Sequence, residues 1–68
     1  MSHSIQDQLL QKVQDEQVEV SIYLLSGIKL YGTIQMFDDK TIWLKNVASQ
    51  LIFKHAVSTI VPSKYIEL

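Results

Sequence analysis

The densest chemistry in this chain sits in Phe53-Lys54-His55-Ala56, where an ammonium and an imidazole are adjacent and an aromatic precedes them. Gln6 and Asp7 near the start, and Asp38-Asp39-Lys40 midway, are the other places where polar groups cluster. None of this reads as a catalytic constellation. The carboxylates fall at turns and along one helix, the serines have no histidine at a recognisable spacing, and there is no glycine-rich loop to cradle a phosphate. Cysteine is absent, so a disulfide and a thiolate metal site are excluded, and His3 and His55 lie far apart in sequence, with no spacing that suggests a zinc site. The chain is read as a non-enzyme that needs no cofactor and no metal. What remains is recognition: hydrogen bonds, stacking and charge.

Charge by itself speaks against nucleic acid. Six lysines and no arginine face seven acids, for a net charge of −1, whereas a nucleic-acid-binding domain is usually basic. With 68 residues the chain is one domain, residues 1–68. A domain this small buries only about 60% of the surface its unfolded chain exposes. Without disulfides or metals, the expected source of additional burial is oligomerisation. No apolar run reaches the roughly 20 residues of a membrane helix. The first residues lack the basic and apolar regions of a signal peptide, so a cytoplasmic location is the default expectation.

The hydrophobic pattern supplies the elements that must position these groups. Ser4 is a candidate helix cap, with Asp7 favourable in the first turn. Ile5, Leu9, Leu10 and Val13 form one apolar stripe, which predicts a helix over about 5–15. From Val18 the period becomes two: Val18, Val20, Ile22 and Leu24 on one face, Glu19, Ser21, Tyr23 and Leu25 on the other. Ser26-Gly27 is a turn signal. A second strand follows with Ile28, Leu30, Gly32, Ile34 and Met36 on one face, and its central Gly32 suggests a bend at a barrel corner. Asp38-Asp39-Lys40 is a turn in which Asp38 accepts hydrogen bonds. A third strand spans Thr41 to Val47, with Trp43 read as an outer-face or interface packing residue, and a fourth runs Gln50 to Lys54. His55-Ala56 interrupts, and Val57 to Val61 is a fifth strand ended by Pro62. One helix followed by five tightly connected strands, within about 18–61, is a mainly β fold. The strongly bent antiparallel sheet is a small barrel of the SH3-like, OB or Sm kind.

Two segments narrow that choice. Val20-Ser21-Ile22-Tyr23-Leu24-Leu25-Ser26-Gly27-Ile28-Lys29-Leu30-Tyr31-Gly32, followed by Phe37-Asp38, resembles the first Sm motif in its bacterial form. Phe53-Lys54-His55-Ala56-Val57-Ser58-Thr59-Ile60-Val61-Pro62 is similar to the aromatic-Lys-His-Ala signature of the bacterial Hfq family of Sm-like RNA-binding proteins. The likeness spans about Gln6 to Pro62. It implies an Sm-like (SH3-like) barrel assembled as a homo-oligomeric, hexameric ring. It also implies RNA chaperone activity in post-transcriptional regulation and stress response, with small regulatory RNA and mRNA as partners. In such rings strand four of one subunit pairs with strand five of the next. The residues agree: Gln50-Leu51-Ile52-Phe53 and Val57-Ser58-Thr59-Ile60-Val61 are apolar and largely uncharged, and bare strand edges need cover. A ring also answers the charge objection, because each lysine is repeated around one axis and focusing depends on local distribution.

The resemblance places a U-rich RNA site at the pore, on the helix-bearing (proximal) face, with Gln6, Asp39, Lys40, Phe53, Lys54 and His55. There Gln6 and His55 can hydrogen-bond a uracil edge and Lys54 can contact phosphate or a base carbonyl. Lys40 stands where the family usually carries an aromatic for base stacking, so weaker or less uridine-selective binding is expected. On the opposite (distal) face the resemblance implies A-rich RNA at Tyr23, Leu24, Gly27, Ile28, Lys29, Leu30, Tyr31, Gln50 and Thr59. Tyr31 replaces a residue that is commonly polar. The family's basic rim patch is missing, since the helix offers Gln14, Asp15 and Gln17 with only Lys12 nearby. Two other classes compete: a ring-forming scaffold with protein partners, and an SH3-like peptide-binding module without a ring.

Overall fold

A computed structural model describes residues 4–68; His3 lies outside them. Helix α1 spans Ile5–Glu16. Its start is set by Ser4, whose hydroxyl accepts the Asp7 backbone N–H at 3.0 Å, satisfying one of the donors a helix end leaves unpaired. Its end is set by Gln17 in the left-handed region (φ 53), whose N–H returns to the carbonyls of Gln14 and Val13. Leu10 and Val13 are buried and Leu9 packs against them, but Ile5, the first member of the predicted stripe, is exposed.

Five strands follow: β1 Val20–Leu24, β2 Lys29–Phe37, β3 Thr41–Lys45, β4 Ser49–Phe53 and β5 Val57–Pro62, with a 3-10 turn Lys54–Ala56 between the last two. All pairings are antiparallel and the sheet order is β4-β3-β2-β1-β5. β1 begins two residues later than its pattern suggests, because the Val18 N–H is taken by the Val13 carbonyl at 3.0 Å as the chain leaves the helix. β3 stops at Lys45 and not Val47, because Asn46 closes a turn with Ala48: the Ala48 N–H reaches the Asn46 side-chain oxygen at 2.9 Å. The β1–β2 connection is longer than Ser26-Gly27 alone. It runs over Leu25–Ile28, with the Gly27 N–H on the Leu24 carbonyl at 2.9 Å and Gly27 at φ 95.

β2 is the strand that bends the sheet. Its first part pairs with β1 up to Gly32 opposite Val20, and from Thr33 onward it pairs with β3. At the changeover a Cβ on Gly32 would run into the Lys45 carbonyl oxygen, so close backbone approach demands the glycine. The register then shifts between Ile34, opposite Leu44, and Met36, opposite Trp43. This bulge leaves Gln35 without a partner residue and reverses the alternation. Met36, expected on the core face, is therefore 62% exposed, and Phe37 turns inward to pack against the core.

The core is Leu10, Val13, Val18, Val20, Ile22, Ile34, Ile42, Leu44 and Ile52, drawn from the helix, four strands and, through Val18, the connection between α1 and β1. No polar residue is fully buried among the described residues. Burying such an aliphatic side chain contributes about 1.5–3 kcal/mol, and the two helix members are what hold α1 against the sheet. The outermost strands are β4 and β5, each with one edge that no strand among the described residues pairs. Leu51, Phe53 and Val61 on them are about half exposed. Among the described residues no helix is long and apolar enough to cross a membrane.

Candidate nucleic-acid interface

Turn 38–41 is clamped by one carboxylate. Oδ1 of Asp38 accepts the backbone N–H groups of Lys40 (2.9 Å) and Thr41 (2.8 Å) and the Thr41 hydroxyl (2.7 Å). These bonds, the Lys40 N–H foremost, hold the Asp38 carboxyl below the ordinary aspartate pKa. Asp38 is thus a structural residue, as expected, and its turn presents Asp39 and Lys40 outward, both exposed. The Lys40 carbonyl in turn accepts the Lys54 backbone N–H at 2.8 Å. That bond ties the turn to the 3-10 segment, where the Phe53 and His55 rings stack with centroids 5.7 Å apart.

The helix closes the third side. Lys54 Nζ lies 2.6 Å from Asp7 Oδ1, an ion pair between residues 47 apart in sequence. The same ammonium sits 5.3 Å from the centroid of the Phe37 ring, within cation–π range. The outcome is one open groove lined by Gln6, Asp38, Asp39, Lys40, Thr41, Phe53, Lys54 and His55. All six groove residues expected from the sequence are brought together. Two features escaped sequence reasoning. Thr41 lines the groove through its tie to Asp38, which a turn signal alone does not reveal. The Asp7–Lys54 pair has no local signature at all.

A second groove runs along α1 and is lined by Asp7, Gln8, Gln11, Lys12, Asp15, Phe37 and Leu68. Its one lysine pairs with Glu16 at 3.8 Å, and Gln11 donates to Asp15 at 2.8 Å. Gln14 is also engaged, donating to the Gln35 carbonyl at 3.0 Å. This side of the helix presents amides and carboxylates, with no basic patch.

The outer face of the sheet holds the other expected set. Tyr23 lies opposite Lys29 on β2 and Thr59 on β5, one cross-strand row, and Lys29 Nζ is 5.8 Å from the Tyr23 ring centroid. Tyr31 belongs to the next row, with Ser21 and Val61. Its hydroxyl donates to the Glu19 carboxylate, which raises the tyrosine pKa. Gly27 and Ile28 sit in the adjoining connection, exposed. Leu24 and Leu30 are half-buried and pack against the core, so they offer edges and not open faces. Gln50 stands apart. It is on β4, opposite Leu44, while Thr59 is on β5 at the far side of the sheet. The Gln50 side-chain oxygen is buried and has no hydrogen-bond partner among the described residues. The protomer therefore assembles Tyr23, Lys29 and Thr59 and leaves Gln50 on the opposite edge.

Comparison with known proteins agrees with this geometry. The model of the family described as Hfq protein matches residues 5–67. The chain is also similar to a crystal structure, at 1.55 Å, of the pleiotropic translational regulator Hfq. That likeness has a TM-score of 0.85 and 32% identity, over 93% of this chain and 100% of the other.

Proposed function

The chain belongs to the Hfq family, and on that premise we propose that it is a ring-forming RNA-binding protein acting in post-transcriptional regulation, with small regulatory RNA and mRNA as partners. The observation that carries the reading is the groove. Gln6, Lys40, Lys54 and His55, scattered over most of the sequence, converge on one open surface with hydrogen-bonding groups, an aromatic pair and cations. Gln6 and His55 serve the edge of a uracil, and the groove lysines supply the charge that draws in a single strand. The outer face serves A-rich RNA: Tyr23 offers a stacking surface and Thr59 a hydrogen-bonding group beside it.

The ring follows from the edges. β4 of one protomer joining β5 of the next pairs both free edges in a head-to-tail contact that closes on itself. The same contact carries Gln50 of one protomer toward Thr59 of its neighbour, and so gives the unpartnered amide oxygen a place at a shared adenine site. Six copies and a cytoplasmic location complete the reading. The helix, with its single lysine paired to Glu16, gives slow RNA annealing compared with relatives that carry a basic rim, because rim contacts are largely electrostatic.

The test is titration of the full chain with U-rich and A-rich oligomers at two salt concentrations, alongside native mass spectrometry. Micromolar or tighter binding of both by a ring is expected. A second reading, a ring-forming scaffold for protein partners, draws on the acid- and amide-lined helix groove. An intact ring that binds neither oligomer would favour it.

A further inference from the structure

The outer face carries a second aromatic that is held more firmly than Tyr23. Tyr31 is 48% exposed, yet both its ends are tied. Its hydroxyl donates to the Glu19 carboxylate, and its carbonyl accepts the Asn46 side-chain N–H at 2.7 Å. Glu19 is itself anchored, since its carbonyl takes the Ser63 N–H at 2.8 Å. A ring fixed in this way stacks on a base with little further loss of side-chain freedom.

Tyr31 also walls an open groove, whose lining includes Glu19, Thr33, Lys45 and Asn46. Thr33 and Lys45 face each other across β2 and β3. Lys45 is exposed, and its ammonium is in no ion pair among the described residues. The Asn46 amide is spent, with its N–H on Tyr31 and its oxygen on the Ala48 N–H. Strands β1, β2 and β3 are the inner strands of the sheet, so a contact made through the β4 and β5 edges does not run through this groove.

The three free groups suit the three parts of a nucleotide: a ring for the base plane, an ammonium for the phosphate and a carboxylate for the base edge. An ionised carboxylate only accepts, at about four lone-pair sites. The Tyr31 hydroxyl fills one and leaves both oxygens able to accept. Guanine turns two adjacent donors, N1–H and N2–H, to such a pair. Adenine and cytosine offer one amino group beside an acceptor, and uracil one N–H between two carbonyls, which a carboxylate repels. In single-stranded RNA that edge is open to be read.

We propose that Glu19, Tyr31 and Lys45 form a guanine-selective nucleotide site at the margin of the outer face. The guanine stacks on Tyr31, donates N1–H and N2–H to Glu19 and brings its phosphate to Lys45. The proposal rests on the reading of the outer face as an RNA surface and adds a base preference to it: an A-rich strand gains affinity where it carries guanosine beyond the Tyr23 row.

The experiment uses the full chain and fluorescence anisotropy with 12-nucleotide adenosine oligomers whose two terminal residues, at either end, are adenosine, guanosine or inosine. The guanosine-ended oligomer is expected to bind about tenfold more tightly than the all-adenosine one, the size of one two-point base contact. Inosine, which lacks the N2 amine, is expected to fall between. Glu19→Gln keeps the side-chain length and the main-chain bond to Ser63 but replaces one acceptor with a donor. It is expected to abolish the guanosine preference and leave the melting temperature unchanged. Tyr31→Leu is expected to weaken the guanosine-ended oligomer by about tenfold. Lys45→Gln is expected to flatten its salt dependence by about 0.7 in log–log slope with the preference intact. A guanosine preference that survives Glu19→Gln would overturn the proposal. So would a parent that binds the all-adenosine oligomer, loses it on Tyr23→Ala and shows no guanosine preference, and that result would spare the outer-face reading. An all-adenosine oligomer bound no better by the parent than by Tyr23→Ala would remove that reading, and this site with it.

Discussion

The groove beside α1 and the outer face of β1, β2 and β5 are built on different principles. In the groove every participating residue comes from one protomer, and the parts are tied to each other: Asp38 to its own turn, Lys40 to Lys54, Lys54 to Asp7. On the outer face the tie is only the register of three strands, which aligns Tyr23, Lys29 and Thr59, and the remaining polar group, Gln50, is on the opposite edge of the sheet. The protomer by itself brings the groove residues together, whereas on the proposed ring the outer face gains Gln50 only from a second copy. Loss of the ring should therefore damage the two unequally.

The largest effect is expected from putting charge on both free edges. Leu51→Lys combined with Val61→Lys should convert the ring to protomers, seen by sedimentation or native mass spectrometry. It should cut A-rich affinity by roughly a hundredfold or more as the shared site and its avidity are lost. U-rich binding should fall less, and an equal loss on both surfaces would contradict the contrast drawn here. Gly32→Ala comes next. Its Cβ has no room against the Lys45 carbonyl, and overpacking of this kind costs about 1–3 kcal/mol. Urea unfolding should show a lower midpoint, and both surfaces should weaken together because β2 joins the two halves of the sheet. Tyr23→Ala should remove about 1–3 kcal/mol of A-rich binding and leave U-rich binding where it was; a matching U-rich loss would mean that the surfaces are coupled.

The smallest effect is a pH signature confined to the groove side. Asp38 has a folded-state pKa below its unfolded one, so its stabilising contribution is present above the unfolded value, near pH 4, and disappears as pH falls through the lower folded value. Asp38→Asn should therefore lower the melting temperature at neutral pH, and the difference from the parent should vanish in strong acid. A difference that stays constant through the acid range would show that the carboxylate is not what clamps turn 38–41.

The sequence by itself determined whatever depends on neighbours within a few residues. The Ser4 cap, the helix to Glu16, the alternation of β1 and the turn at Asp38 are local events, governed by backbone donors, side-chain reach and a period of 3.6 or 2. The family likeness named six residues for one site, and the structure shows that they line one groove, although nothing in their spacing foretold that convergence. Tertiary structure alone decided three things. A bulge after Ile34 put Phe37 inside and Met36 out, because a strand's parity depends on its partner's register and not on its own pattern. The sheet order sent Gln50 and Thr59 to opposite edges, since pairing and not chain order sets neighbours. And the helix, packed through Leu10 and Val13, brought Asp7 to Lys54. Burial in the core chose that arrangement, and no spacing in the chain records it.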